Sequence, residues 1–226
     1  GRAYKGAFNA TPGATLGALS LQAAVTRAGI DPAEVDDVLW GAALQQGAQA
    51  GNIARQVALR AGLPITTSGM SMDRQCSSGL MTIATAAKQV IIDRMDVVAA
   101  GGQESISLVQ TKDMRVAPDK SLMAMHKAIY MPMLQTAETV ARRYQVDKAR
   151  MDHYGAASQQ KACAAQEKGW FQDEIVPVTV TAGVADPVLG MRSKEVTLSA
   201  DEGLRPGTTY EGIKDIRTAV PGGVVT

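Results

Sequence analysis

Runs with strand character alternate with runs of helix character over roughly the first hundred residues, and this order restricts the fold more than any other feature. Residues 14–28 have helical spacing, with Leu16, Leu19, Ala23 and Val25 among the apolar positions and a stop at Gly29. Asp31-Pro32-Ala33-Glu34 starts a short turn or helix, because Asp caps and Pro suits the first position. Val38-Leu39-Trp40-Gly41 is a short β-like run. Residues 52–61 are helical and end at Gly62. Residues 65–72 read as a short strand, 80–92 as a buried helix and 95–102 as an apolar strand ending in paired glycines. Alternation of this kind predicts an α/β layered core.

The composition changes after Ser107. Residues 108–133 have weak periodicity and carry five of the eleven methionines: Met114, Met123, Met125, Met131 and Met133. A loop-rich stretch of this length inside a compact protein is often a lid or binding region, and methionine surfaces adapt to flexible apolar ligands. The plainer alternative is that these side chains fill a subdomain core or an oligomer interface. Residues 136–144 and 147–168 read as helices, the second ending at Gly169. Residues 175–180 read as a strand, and 182–209 as loops and short strands.

A chain of 226 residues with 46% hydrophobic content is long enough to bury a substantial core. With 23 basic residues against 22 acidic, there is no overall charge to recruit nucleic acid or an anionic membrane. Neither is expected as a partner. No run approaches the length of a membrane-spanning helix, and no signal peptide is visible. The chain begins with Gly1 rather than Met, so a removed leader or a truncation stays open. Its two cysteines, Cys76 and Cys163, lie far apart and have no metal-ligand spacing.

Cys76 sits in Met72-Asp73-Arg74-Gln75-Cys76-Ser77-Ser78-Gly79-Leu80, between a strand and a helix. The unpaired N–H groups and the dipole at a helix start favour an anion. Ser77, Ser78 and Gly79 are small and leave room for a carbonyl to reach the sulfur. Cys76 is therefore a candidate acyl-accepting nucleophile, set against the ordinary role of cysteine as a small buried hydrophobe. Cys163, flanked by alanines in a helix, reads as a packing residue.

Other constellations carry less. Gly101-Gly102-Gln103-Glu104-Ser105 follows a strand but matches neither a dinucleotide fingerprint nor a phosphate-binding loop. Asp36-Asp37 and Asp173-Glu174 are adjacent carboxylates expected to be solvated. The histidines are His126, in the methionine-rich stretch, and His153, on the polar or interfacial side of a helix. Nothing in the sequence places either near Cys76, and no metal site is expected.

Asp73-Arg74-Gln75-Cys76-Ser77-Ser78-Gly79-Leu80 closely resembles the nucleophile segment of the thiolases, the acetyl-CoA acetyltransferases and 3-ketoacyl-CoA thiolases. Further stretches agree in order and spacing. They are Gly101-Gly102-Gln103-Glu104-Ser105-Ile106-Ser107, Met131-Pro132-Met133 through Ala141, Ser158-Gln159 to Val178, and Leu204-Arg205-Pro206-Gly207-Thr208-Thr209. The resemblance implies an α/β fold, with a layered core domain that is the first of two in the family and an inserted loop domain. On that reading residues 1–108 are the N-terminal core without its first strand, 109–210 the loop domain, and 211–226 a return to the core.

The resemblance also implies chemistry. Cys76 would take an acyl group as a thioester, in Claisen condensation of two acyl-CoA molecules or in its reverse, thiolytic cleavage of a 3-ketoacyl-CoA. Arg205 would lie near the nucleotide end of CoA, and Met133 would line the acyl channel. CoA and acyl-CoA are the expected substrates, with no separate cofactor. A homodimer or homotetramer is expected, with 101–107 near a subunit contact. The expected compartment is the cytoplasm, or the mitochondrial matrix or peroxisome of a eukaryote.

Two departures qualify this. The family's Gly-His-Pro segment, whose His activates the nucleophile, and its late Cys-x-Gly-x-Gly acid/base segment do not occur here. The chain alone is therefore expected not to complete turnover. Pro132 stands where short-chain biosynthetic members have His, which leans toward degradative or broad-specificity thiolases. A ketoacyl synthase and a non-catalytic acyl-CoA-binding relative of the fold are the alternatives.

Overall fold

A computed structural model describes all 226 residues of the chain. They form two compact units, residues 1–114 with 176–202, and residues 115–175 with 203–226. The compact units thus divide the chain differently from the expected domains, because residues 178–198 group with the first unit and 203–226 with the second.

The first unit is built on a parallel sheet with the strand order β2-β1-β3, comprising β1 (Asp37–Gly41), β2 (Ser68–Met72) and β3 (Val98–Gly102). Gly41 stands opposite Met72 on one side and Gly102 on the other, so all three carboxyl ends lie at one edge. β1 is buried at every position, as expected of a central strand covered on both faces.

Alternation along β1 separates the two faces. Val38 and Trp40 join the core cluster formed with α1 (Gly13–Ala28) and α2 (Ile53–Arg60), which includes Ala18, Leu21, Ile53 and Val57. Asp37 and Gly41 meet the opposite helix, α3 (Ser78–Lys88), and the turn that follows it. The helices stop where the sequence predicts: α1 at Gly29, with φ 67°, and α2 just before Gly62, with φ 90°. Asn52 caps α2 by accepting from the Arg55 amide at 3.3 Å.

Four expectations are corrected. α3 is not a buried helix. Ser78, Thr82 and Ala86, four residues apart, face the sheet, while Leu80 (72% exposed), Ile83 and Ile91 face outward. An apolar sequence states that a helix can be covered all round, not that it is. The helix continues as a π turn over Gln89–Asp93 and ends at Arg94 in the left-handed region. β2 begins only at Ser68, because Pro64 starts a turn closed by the Thr67 amide on its carbonyl.

The Asp36-Asp37 pair is structural rather than simply solvated. Asp36 Oδ2 accepts from the amides of Asp96 (3.0 Å) and Val97 (3.2 Å), holding the approach to β3. Asp37 is buried and accepts from the Gln89 side-chain amide at 3.0 Å. Finally, residues 182–198 are not short strands and loops, and the strand read at 175–180 runs on from Val178. Residues 178–198 form one long antiparallel hairpin of β4 (Val178–Asp186) and β5 (Gly190–Leu198). Asp186 closes its turn by accepting from the Val188 and Leu189 amides, both at 2.9 Å, and the Asn9 side chain pairs with the Gly183 backbone. A short helix, α4 (Ile106–Val109), follows β3.

The second unit is helical: α5 (Lys120–Met125), α6 (Met133–Tyr144), α7 (Lys148–Glu167) and α8 (Tyr210–Ile213). Asp147 caps α7 by accepting from the Arg150 amide at 2.7 Å, and Gly169 ends it with φ 72°. The carboxylate of Glu138 on α6 accepts from the amides of Val224 (2.9 Å) and Val225 (2.8 Å) and so holds residues near 224 against that helix. Buried Asp152 pairs with Lys148, whose ammonium also donates to the Lys214 carbonyl at 2.7 Å.

Candidate active site

Cys76 lies in the turn between β2 and α3, two positions before the first residue of the helix, and it is exposed. The topology gives this place its character. β1 leads into α2 on one face of the sheet and β2 into α3 on the other, so the connections diverge between neighbouring carboxyl ends. Such a switch point is where open parallel sheets form a crevice for ligands.

The turn is tightly wound. Gln75 adopts a left-handed conformation, with φ 50°. The Gln75 amide donates to Asp73 Oδ1 at 2.7 Å, the Ser77 amide to the Arg74 carbonyl at 3.0 Å, and the Ser78 amide to the Gln75 carbonyl at 3.1 Å. Ser78 Oγ donates to the same Gln75 carbonyl at 2.6 Å and accepts from the Arg74 amide at 2.9 Å. Ser78 is thus buried and holds the turn rather than leaving room for a substrate. Gly79, the next residue of the helix, is open: an added Cβ there would meet nothing within 4 Å.

The segments that follow the carboxyl ends of β1 and β3 are braced by Gln49, a fully buried side chain. Its amide nitrogen donates to the Leu44 carbonyl at 2.9 Å and to Glu104, and its oxygen accepts from the Ser105 amide at 2.8 Å. Glu104 in turn accepts from the Ala43 amide at 2.8 Å. The segment 101–105 therefore serves as a brace at the sheet edge. Gln49 was not singled out by its sequence, since a lone Gln in a polar stretch carries no signal of burial.

The remaining expected site residues fall in the second unit. Met133 opens α6 directly after Pro132 and is 76% exposed. Arg205 is exposed in a loop fastened to α7: its amide donates to Gln159 Oε1 at 3.0 Å, and Gln160 donates to the Thr208 carbonyl at 3.0 Å. Pro206 and Gly207 form the middle of a tight turn, with Gly207 at φ 78° and the Thr208 amide on the Arg205 carbonyl. Both histidines are also in this unit. His126 ends α5, and His153 on α7 stacks on Tyr210 at 3.7 Å between ring centroids. His153 lines a cleft of about 540 Å³ with Val146, Arg150, Met151 and Tyr154. Cys163 is half-buried on α7. No group of three or more His, Cys, Asp or Glu is placed to hold a metal ion. No helix is long and apolar enough to cross a membrane.

Comparison with known proteins identifies the family. A family model described as "Thiolase, N-terminal domain" matches residues 1–226. The chain belongs to the thiolase family. This thiolase-family chain is 38% identical to an acetyl-CoA acetyltransferase of Paracoccus denitrificans, over 96% of its own length and 56% of the relative's. It is 36% identical to a 3-ketoacyl-CoA thiolase of Bacillus subtilis (strain 168), over 97% of its length and 56% of that protein's. Among solved structures, the Bacillus anthracis acetyl-CoA acetyltransferase aligns with a TM-score of 0.80 and 33% identity, covering 98% of this chain and 57% of that one. The thiolase-family chain thus spans little more than half the length of the relatives it matches. Its α/β first unit is the fold the sequence resemblance implies.

Proposed function

We propose that this chain carries the acyl-accepting part of a thiolase-type acyltransferase, with Cys76 as the nucleophile. The observation that carries the reading is the exposed sulfur in a wound turn at the start of α3, within the segment that resembles the family's nucleophile motif. Names of relatives as acetyl-CoA acetyltransferase and 3-ketoacyl-CoA thiolase support the reaction class.

The step follows from thioester chemistry. The Cys76 sulfur, as thiolate, attacks the carbonyl carbon of an acyl-CoA. The tetrahedral intermediate collapses by breaking the bond to the CoA sulfur, which leaves as CoA thiolate and takes up a proton. One thioester replaces another, so the step needs no outside oxidant or reductant. The positive end of α3 favours the negative charge that develops on the carbonyl oxygen, while the Ser77 and Ser78 amides are already engaged within the turn. In condensation the second acyl-CoA loses an α-proton to a base, its α-carbon attacks the Cys76 thioester carbonyl, and the Cys76 thiolate leaves. In thiolysis Cys76 instead attacks the 3-keto carbonyl of a 3-ketoacyl-CoA, the bond between its second and third carbons breaks to release acetyl-CoA once that carbon is protonated, and CoA thiolate then takes the acyl group from Cys76.

Acyl-CoA and CoA are the substrates in this reading. Arg205 meets the nucleotide end of CoA, and Met133 borders the acyl chain, where a flexible thioether suits an apolar ligand. The protein acts as a homo-oligomer in the cytoplasm or an equivalent compartment. The first unit contains no histidine, and the motif that supplies one in the family does not occur in these 226 residues. The 226-residue chain by itself accepts an acyl group without turning over.

The test is peptide mass mapping after incubation with acetyl-CoA. Acetylation of Cys76 with Cys163 unmodified is the expected result. A folded sample in which Cys76 stays free sinks the reading. Sustained thiolysis or condensation by this chain would sink the single-step limit.

A further inference from the structure

Gly41 ends β1 directly under the first turn of α3. A Cβ at Gly41 would lie 2.8 Å from the Ser78 carbonyl carbon, 2.9 Å from the Ser78 Cβ and 3.0 Å from the Gly79 nitrogen. These are backbone atoms and a Cβ, which no rotamer change can move aside. Gly41 is itself pinned from both sides. Its carbonyl accepts from the Gln103 amide at 3.1 Å, and the adjoining Ala42 amide donates to the Met72 carbonyl at 3.1 Å. A glycine inside a strand often marks such a close approach of two backbones.

α3 is seated a second time one turn further on. The fully buried Thr82 hydroxyl lies 2.7 Å from the Gly79 carbonyl and 3.0 Å from the Gly101 carbonyl, so it links the helix to β3. The hydrogen bonds that wind the Cys76 turn run among residues 73–78. The turn therefore travels with the start of α3, and the height of α3 above the sheet sets the position of the sulfur.

We propose that Gly41 is a positioning residue for acyl transfer at Cys76: by presenting no side chain, it lets the first turn of α3 rest on the end of β1. Thr82 holds the same seat from the β3 side. This rests on the reading of Cys76 as acyl acceptor. A Cβ at position 41 lifts the first turn by several tenths of an ångström and moves the sulfur away from the crevice between the carboxyl ends. Attack on a bound thioester depends steeply on alignment, with losses of about a hundredfold for a displacement of about 1 Å. Alkylation by a small reagent needs only an accessible thiolate.

The experiment compares Gly41→Ala, Gly69→Ala and the parent chain. Gly69 is the matched control on the same sheet: its added Cβ would lie 2.8 Å from the Arg55 nitrogen, on α2 instead of α3. Two rates are measured at Cys76, acetyl transfer from acetyl-CoA and alkylation by iodoacetamide. Gly41→Ala is expected to slow acetyl transfer about tenfold or more while alkylation changes less than about threefold. Gly69→Ala is expected to lower the melting temperature comparably and to leave both rates within about twofold. Unchanged acetyl transfer in Gly41→Ala overturns the proposal, as does equal slowing in both variants. If Gly41→Ala does not fold, Thr82→Val decides: slowed acetyl transfer with retained alkylation supports the seat, and parental rates overturn it. A folded parent that is not acetylated at Cys76 refutes the nucleophile itself, and is seen before any variant is made.

Discussion

Ser78 Oγ donates to the carbonyl of Gln75 at 2.6 Å, and this bond closes the turn that presents Cys76. The same oxygen accepts from the Arg74 amide at 2.9 Å, so one buried hydroxyl ties both ends of the turn to the start of α3.

Replacing Ser78 by Ala removes both bonds and leaves the Arg74 amide without this acceptor. The expected loss is about 1–3 kcal/mol in unfolding free energy, read by urea titration. Alkylation of Cys76 should lose its sharp single rate as the turn loosens. A variant with parental stability and a parental rate would show that the turn is held by other means.

Gln75 holds φ 50° without being glycine. The left-handed region costs an ordinary residue about 1–3 kcal/mol and suits a β-branched one least. Melting temperatures should follow the order Gln75→Gly at or above the parent, with Gln75→Val well below it. The reverse order would mean that the turn does not keep this conformation in solution.

Asp36 fastens the start of β3 through the amides of Asp96 and Val97. Asp36→Ala is expected to cost about 1–2 kcal/mol, and Asp36→Asn part of that, because hydrogen bonds to a charged acceptor are the stronger kind. Denaturant unfolding of the two variants checks it. Equal stability in all three proteins would remove the role.

The amides of Leu189 and Val188 hold the Asp186 carboxyl below its usual range. A carboxyl whose folded value is depressed stabilises the fold above its unfolded value, and that contribution is lost as pH falls through the folded value. The hairpin turn should therefore loosen only below the ordinary Asp value of about 3.9. The Val188 and Leu189 amide resonances report it, with a midpoint under that value in the parent. The step should vanish in Asp186→Asn. A midpoint at or above the ordinary value would contradict the turn geometry.

Arg205 stands exposed on a loop fastened to α7 by Gln159. If it meets the nucleotide end of CoA, Arg205→Ala should weaken CoA binding about threefold to fivefold, the worth of one exposed charge contact. Alkylation of Cys76 should not change. Calorimetric titration with CoA measures the first, and unaltered affinity would withdraw the assignment.

Much of this architecture was visible in the residues. Gly29, Gly62 and Gly169 each end a helix because only glycine takes the left-handed conformation without cost, and Asp31 caps the short helix at 32–34 because its short oxygen reaches the Ala33 amide. What failed to show was which surfaces meet. The apolar residues of 80–92 promised burial on all sides, yet Leu80 and Ile91 face outward, since covering depends on neighbours that a helix does not encode. Asp36 and Asp37 looked like solvent-facing charges because their partners, Asp96, Val97 and Gln89, lie more than fifty residues away. At the site, the strand–Cys–helix order pointed to Cys76. The need for glycine at 41 depended on how closely α3 lies over β1, which only the three-dimensional arrangement reveals.

β1 is buried at all five positions and hydrogen-bonded to a strand on each side, whereas β5 is exposed along most of its length. Local openings are costliest where backbone bonds are flanked by buried apolar contacts. In deuterated water the hairpin amides should therefore exchange early and those of β1 late. The thiol is mobile-looking only by its exposure. Its turn rests, through the close approach of Gly41 to Ser78 and Gly79, on the buried strand β1, so the sulfur should keep its place on timescales over which the hairpin has opened many times.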